Sequence, residues 1–159
     1  MPAITLPDGS KKEFSGAVTG LAIAQSIGSG LAKAAIAITV NGSQKDLCDP
    51  IHEDSNIAII TIDSGEGLEI MRHTLTAQVL ARAVKNIYPD SKLAIGPTIE
   101  DGFYYDFEFQ KPISEDDLEP IEKEMKKIIS TNSSITKTLA SKHDAIKVFK
   151  SADETYKES

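Results

Sequence analysis

The side chains with obvious chemical capacity are few. The chain holds one cysteine, Cys48, and three histidines, His52, His73 and His143. A lone cysteine cannot close an intramolecular disulfide, and with no second thiol nearby a thiolate zinc cage is excluded. The histidines are too widely separated for spacing alone to define a metal site. Cys48 reads as a small buried hydrophobe rather than a nucleophile, His52 as a loop residue, and His143 as a surface group in the first turn of a helix. His73 sits at the margin of an apolar helix face. There an imidazole either satisfies a backbone carbonyl or, with partners, serves as an acid or base near neutral pH. Tyr104 and Tyr105 are neighbours on a strand-like segment, so one faces the core and the other the opposite surface.

Two sets of elements must position these groups. In residues 1–62, Ile4 and Leu6 alternate with polar neighbours, Pro7-Asp8-Gly9 is a turn, and Lys12 to Ser15 returns as a partner strand. Leu21, Ile23, Ala24 and Ile27 follow helical spacing that stops at Gly28, and Leu31 to Ala34 adds one further turn. Ile36, Ile38 and Val40 alternate before Asn41-Gly42, a strong hairpin signal, and Ile57 to Ile62 is an apolar run of strand length. A small sheet crossed by one helix, in a β-grasp arrangement, accommodates that order.

Asp63 to Gly67 is polar and glycine-bearing, and the boundary between a first unit, 1–62, and a second, 63–159, is placed there. Leu68, Met71, Leu75, Val79, Leu80, Ala83, Val84 and Ile87 give a wide apolar arc, predicting one largely buried helix over 66–87 that stops before Pro89. Leu93 to Ile99 and Phe103 to Phe109 flank Asp101-Gly102 as a hairpin. Ser114 to Asp117 has capping-box spacing, with Ile113 and Leu118 as a possible staple. The next helix carries Pro120, which predicts either a kink or a start at that residue. Glu122 to Lys127 forms a solvated face with pairs such as Glu122 and Lys126. Residues 133–140 suit a strand, and Ser141 with Asp144 caps a last helix. The fold class expected is α+β.

Composition narrows the function classes. The 159 residues are 40% hydrophobic and 26% charged, enough apolar material for a core. No run approaches the roughly 18 apolar residues of a membrane span, and the start lacks the features of a secretory signal, so a soluble, cytoplasmic protein is expected. The net charge is −7, divided as four basic against six acidic groups in 1–62 and thirteen against eighteen in 63–159. Neither part is a basic module, so nucleic acid would be bound locally or together with another domain.

Four segments, MPAITLPDGS, GLAKAAIAITVNG, GLEIMRH and above all LAIGPTIEDGFYYDFEF, give the chain a resemblance over essentially its whole length to the amino-terminal region of bacterial threonyl-tRNA synthetases. The resemblance implies that the first unit is a TGS domain of β-grasp fold. It implies that 63–159 is the incomplete opening part of an editing domain that hydrolyses serine wrongly joined to threonine tRNA. The parent would then be a ligase joining threonine to its tRNA with ATP, a homodimer, whose ATP and zinc belong to an aminoacylation domain further on; no cofactor is implied for this chain. Such a second site follows from specificity physics, because losing one methyl costs binding only about 1–3 kcal/mol, so serine leaks through.

The family's editing motif places two imidazoles four residues apart on a helix, joined by a Cys-x-x-x-His motif expected beyond Ser159. Here His73 matches the first position, but Ala77 occupies the second. Counted back from Pro89 the matching pair is Thr74 and Gln78, so one extra residue lies in between. A π-bulge or slipped turn absorbs such a residue, letting His73 keep its site while Gln78 takes the second position. Glutamine replaces an imidazole as a hydrogen-bond partner but not as a proton acceptor. Tyr105 matches a pocket tyrosine and Lys157 a pocket lysine, against an alternative in which Lys157 is a solvated tail residue. The expected site is therefore His73, Gln78, Tyr105 and Lys157, without a convincing general base pair and without a metal. The rival reading is a non-catalytic TGS-type module binding RNA or a small ligand, since TGS domains also occur in GTPases and stringent-response enzymes. A free-standing editing protein is disfavoured by the missing histidine.

Overall fold

A computed structural model describes residues 1–157. Its contacts divide into two compact units, one ending at Met71 and the other beginning at Arg72.

In the first unit, β1 (Ala3–Thr5) pairs antiparallel with β2 (Lys11–Glu13), Ile4 lying opposite Lys12. The Pro-Asp-Gly turn between them forms as expected, with Gly9 at φ +82° and Asp8 Oδ1 accepting the Ser10 N–H at 2.9 Å. β3 (Val18–Thr19) leads into α1 (Gly20–Ile27), whose amino end is capped by the Thr19 hydroxyl, which accepts from Ala22 N. α2 (Ser29–Ala34) runs into β4 (Ala35–Val40), and Asn41 and Gly42, both at positive φ, turn the chain into β5 (Ser43–Lys45). β6 (Pro50–Ile51) pairs with β3, and β7 (Ser55–Thr61) returns through the middle.

The sheet order is β2-β1-β7-β4-β5, with β1 and β7 parallel and the other pairs antiparallel. This is the five-strand β-grasp sheet expected from the alternation. Ile4, Ile23, Ile38, Val40 and Ile57 meet in its core with Val18 and Ile51. The start of α1 lies so close to the sheet that a Cβ on Gly20 would come within 3.0 Å of Ile38. Cys48 is exposed, not buried as expected, because it occupies an irregular turn where its N–H bonds Asp46 Oδ1.

α3 (Gly65–Thr74) starts within the expected linker, and the contact division falls inside it. Its first turn needs a glycine: a Cβ on Gly67 would stand 2.0 Å from the Thr61 carbonyl oxygen. Ser64 Oγ completes the junction, donating to Thr61 O and accepting from Gly67 N. The expected burial of the whole 66–87 helix is corrected here, since Leu68 is 48% and Met71 38% exposed. Apart from Gly67, which is buried, full burial begins at Thr76.

In the second unit a π-helical segment, Leu75–Leu80, is followed by α4 (Ala81–Ile87). β8 (Lys92–Leu93), β9 (Thr98–Ile99), β10 (Gly102–Phe103) and β11 (Phe107–Glu108) make the expected hairpin as two short ladders, β9 with β10 and β8 with β11. Hydrogen bonds from Ala94 N to Asp106 O and from Asp106 N to Ile95 O continue the ribbon between them. Pro97 has no N–H to add. A 3₁₀ turn (Glu115–Asp117) opens α5 (Leu118–Ser130), α6 spans Lys142–Ser151, and a 3₁₀ turn (Thr155–Lys157) follows. Ala83, Val84 and Ile121 form the buried cluster, with Phe107, Phe109 and Met125 among the partly buried residues against it.

The capping box is present: Asp117 Oδ2 accepts from Ser114 N at 2.7 Å and from its hydroxyl at 3.0 Å. Pro120 does not begin α5, which starts at Leu118 and runs on through it to Ser130. It is the third residue of the helix, where the backbone N–H has no intrahelical acceptor to lose. The staple does not close, as Ile113 and Leu118 are 39% and 57% exposed. Residues 133–140 form no strand and are exposed throughout, because no described strand pairs with them. Ser141 caps α6 as expected, accepting from Asp144 N, and His143 is exposed in that first turn.

Candidate functional site

The expected site residues lie on three elements of the second unit: the helix over 72–87, the ribbon of β8 to β11, and the turn after α6. The helix carries the feature inferred from the register mismatch. Between Leu75 and Leu80 it widens to π geometry, and the Ala81 N–H reaches back five residues to Thr76 O. One residue more per turn lets Leu80, Val84 and Ile87 keep their inward phase despite the extra residue. Thr76, wholly buried, donates its hydroxyl to the Arg72 carbonyl at 2.7 Å, which satisfies a polar group inside the core. Arg72 Nη1 in turn donates to Glu100 O at 2.6 Å, tying the helix to the tip of the ribbon.

His73 and Gln78 are both exposed, one at the end of α3 and the other in the π segment, and Ala77 is exposed too. Tyr105 is half-buried and its ring stacks on Phe107 with centroids 4.5 Å apart, while Tyr104 is 50% exposed, so the two tyrosines part as the strand alternation requires. Aromatic contacts continue from Phe107 to Phe109 and from Phe109 to Tyr88. Lys157 is half-buried in its 3₁₀ turn, with its Nζ 5.7 Å from the centre of the Tyr105 ring. The lysine is thus no solvated tail residue. Tyr105 and Lys157 are brought together, whereas among the described residues no hydrogen bond, ion pair or ring contact joins either to His73 or Gln78.

Gly96, which no sequence pattern marks as part of the site, lies between the Tyr105 ring and Thr76. A Cβ on Gly96 would stand 2.2 Å from the Tyr105 ring and 2.8 Å from the Thr76 methyl, so only glycine leaves that ring its place. Its position before Pro97 was the available signal, but Gly-Pro marks only a turn. Chemically, a phenol and an ammonium held together can donate to charge developing on an ester oxygen. Neither accepts a proton readily at neutral pH. Concavities of this unit open among Tyr88, Phe109, Ile113 and Asp117, among Lys85, Ser91, Lys92 and Glu108, and among Arg82, Asn86, Glu124 and Ile128. No group of three or more metal-ligating side chains gathers among the described residues. Cys48 and His52 do have Cys-x-x-x-His spacing, but both are exposed and lie in the first unit, in a turn and just after β6.

Residues 2–61 match the TGS domain family. Over 157 residues, 99% of this chain, the sequence is 46% identical to threonine–tRNA ligases from two strains of Acidithiobacillus ferrooxidans. It is 48% identical over the same length to that of Hahella chejuensis. In each case the match spans 24% of the relative, so the chain covers about a quarter of the length of the curated relatives it matches. The first unit thus matches the TGS domain family, and the chain, over nearly all its length, is similar to the amino-terminal quarter of bacterial threonine–tRNA ligases.

Proposed function

We propose that this chain is the amino-terminal part of a threonine–tRNA ligase, and that its second unit contributes one wall of a pocket that removes serine from mischarged threonine tRNA. The observation that carries this reading is the approach of Lys157 to Tyr105, together with a helix widened at Leu75–Leu80, just after His73 and around Gln78. The similarity extends well past residue 61, which favours it over the binding-module alternative.

Cleavage of the seryl ester adds water to the carbonyl, breaks the acyl C–O bond, and returns a hydroxyl to the terminal ribose and free serine. Lys157 and Tyr105 would stabilise the oxyanion formed on the way. His73 would orient or deprotonate the water, and Gln78 would hold it by hydrogen bonds alone. The TGS unit would act in tRNA-related binding, and the ligase would work as a cytoplasmic homodimer. ATP and zinc would belong to its aminoacylation domain, outside these residues.

Two assays test this. The 159-residue chain alone is expected neither to aminoacylate nor to deacylate seryl-tRNA, because it spans about a quarter of the relatives' length and would hold only part of the editing site and none of the aminoacylation domain. Hydrolysis above buffer that disappears in His73→Ala would contradict that. A longer ligase chain containing these residues is expected to deacylate seryl-tRNA and to lose at least tenfold in rate in His73→Ala, and an unaffected rate would remove His73 from the mechanism.

A further inference from the structure

Lys157 follows a helix and lies in a single 3₁₀ turn, a place where side chains ordinarily wander. What fixes it is found three residues earlier. Glu154 is only 5% exposed, unusual for a carboxylate in a sequence as polar as Ser-Ala-Asp-Glu-Thr. Its Oε1 lies 2.8 Å from Lys85 Nζ on α4, and its Oε2 accepts the Leu93 N–H of β8 at 2.9 Å. Lys85 also donates to Ser91 O at 2.8 Å, so its ammonium bridges the turn and the ribbon.

The backbone aims the carboxylate inward. Asp153 takes a left-handed conformation, φ +55°, and the Glu154 N–H returns to Phe149 O, a closure that ends α6 sharply. The Glu154 carbonyl then accepts the Lys157 N–H at 2.9 Å, so one residue anchors the turn by its side chain and shapes it by its backbone. Two other ties hold this segment, Asp153 to Lys92 and the Tyr156 hydroxyl to Glu108. Both are weaker anchors, since the Asp153 side chain is 84% and Tyr156 51% exposed.

We infer that Glu154 is a positioning residue for Lys157: its carboxylate, shared between Lys85 and the Leu93 N–H, clasps the 153–157 turn to the helix and the ribbon and so sets the ammonium over the Tyr105 ring. The inference rests on the proposed pocket only for its bearing on catalysis; the placement itself is measurable without any reaction.

The test is a spectroscopic one on the 159-residue chain. A methylene held over an aromatic face resonates upfield, so the Lys157 side-chain protons are expected to be displaced, and Tyr105→Leu is expected to abolish that displacement. Glu154→Ala should remove most of it, Glu154→Gln more than half, and Asp153→Asn almost none. The displacement surviving in Glu154→Ala, with the second unit's amide spectrum retained, would overturn the inference. Should Glu154→Ala fail to fold, an undiminished displacement in Glu154→Gln would overturn it equally. Hydrolysis by the longer ligase chain is a separate readout. Lost displacement with intact seryl-tRNA deacylation would confirm the clasp and reject the pocket, whereas intact displacement with lost deacylation would do the reverse.

Discussion

The first unit places seven buried apolar residues from five strands and one helix in a single cluster. The second, with a longer stretch of chain, gathers three buried apolar residues in its cluster and packs partly buried aliphatic and aromatic side chains against them. Its sheets are two-residue ladders, and its segments are tied by side-chain bonds between distant residues: Glu154 with Lys85, Tyr88 with Asp117, Asn86 with Glu124. The first unit gains its order from a continuous backbone ladder over a dense core. The second gains it from individual polar contacts, each of which one substitution can remove. The unit carrying the proposed chemistry is therefore the one whose geometry can be adjusted a residue at a time.

The contrast is broken most directly through the cores. Ile38→Ala in the first unit, at a site 1% exposed, is expected to cost about 2–5 kcal/mol. Ile121→Ala, 7% exposed beside a thinner cluster, should cost less; denaturant titrations of the two variants giving the opposite order would remove the distinction. The glycines come next. Gly67→Ala and Gly96→Ala are each expected to cost about 1–3 kcal/mol as overpacked sites. Their consequences should differ. Gly67 faces a backbone oxygen that can yield only if α3 shifts, whereas Gly96 faces a ring that can swing away. Tyr105 resonances should accordingly move in Gly96→Ala, and their staying put would contradict the packing described.

A smaller effect separates the units by pH. The Asp117 carboxyl is held below its ordinary value by the Ser114 N–H first, then by the Tyr88 hydroxyl and the Ser114 hydroxyl. A depressed folded-state value stabilises above the unfolded one, 3.8, and that contribution is lost as pH falls through the lower folded value. Tyr88 is shifted upward by donating to the same carboxylate, so its share persists below the ordinary tyrosine value and is lost only as pH rises through the raised one. Acidification below about pH 4 is expected to loosen the start of α5, whereas in the first unit, where the Ser10 hydroxyl and N–H hold Asp8 below its ordinary value, only amides around the Pro7–Ser10 turn should move. Asp117→Asn should flatten that response, and an identical acid profile in the variant would exclude the cap as its source. The mildest change is deletion of Ala77, which should convert the π segment to regular α-helix, leaving Val84 buried and Leu80 and Ile87 packed against its cluster. Amide chemical shifts after residue 81 moving broadly would show that the π turn holds more than phase.

Much of the first unit was legible because its signals are local. Pro7-Asp8-Gly9 and Asn41-Gly42 fix turns by backbone preference, and Ile36-Ile38-Val40 alternates as a half-buried strand must. Beyond residue 62 the local signals misled where partners decide. Residues 133–140 have strand composition but no described strand beside them, and a strand's backbone groups require one. Leu68 and Met71 continue the apolar stripe of the helix, yet they precede the segment that packs, so they stay exposed. The π turn was legible only through register, as one residue too many between His73 and Pro89. Lys157 beside Tyr105 was anticipated by resemblance, but its anchor was not. Nothing near Glu154 in sequence hints that Lys85 awaits it.

Inserting one residue into an α-helix ordinarily turns everything after it by about 100°, which would carry Val84 and Ile87 out of the core. The widened turn at 75–80 confines that rotation to a single loop of helix. Change in helix length thereby becomes a local event, open to gradual trial: an insertion there shifts which side chains face outward upstream while the packed end stays where it was. A length difference that would look disruptive in an alignment can in such a helix be nearly silent for folding and still alter which residues meet a substrate.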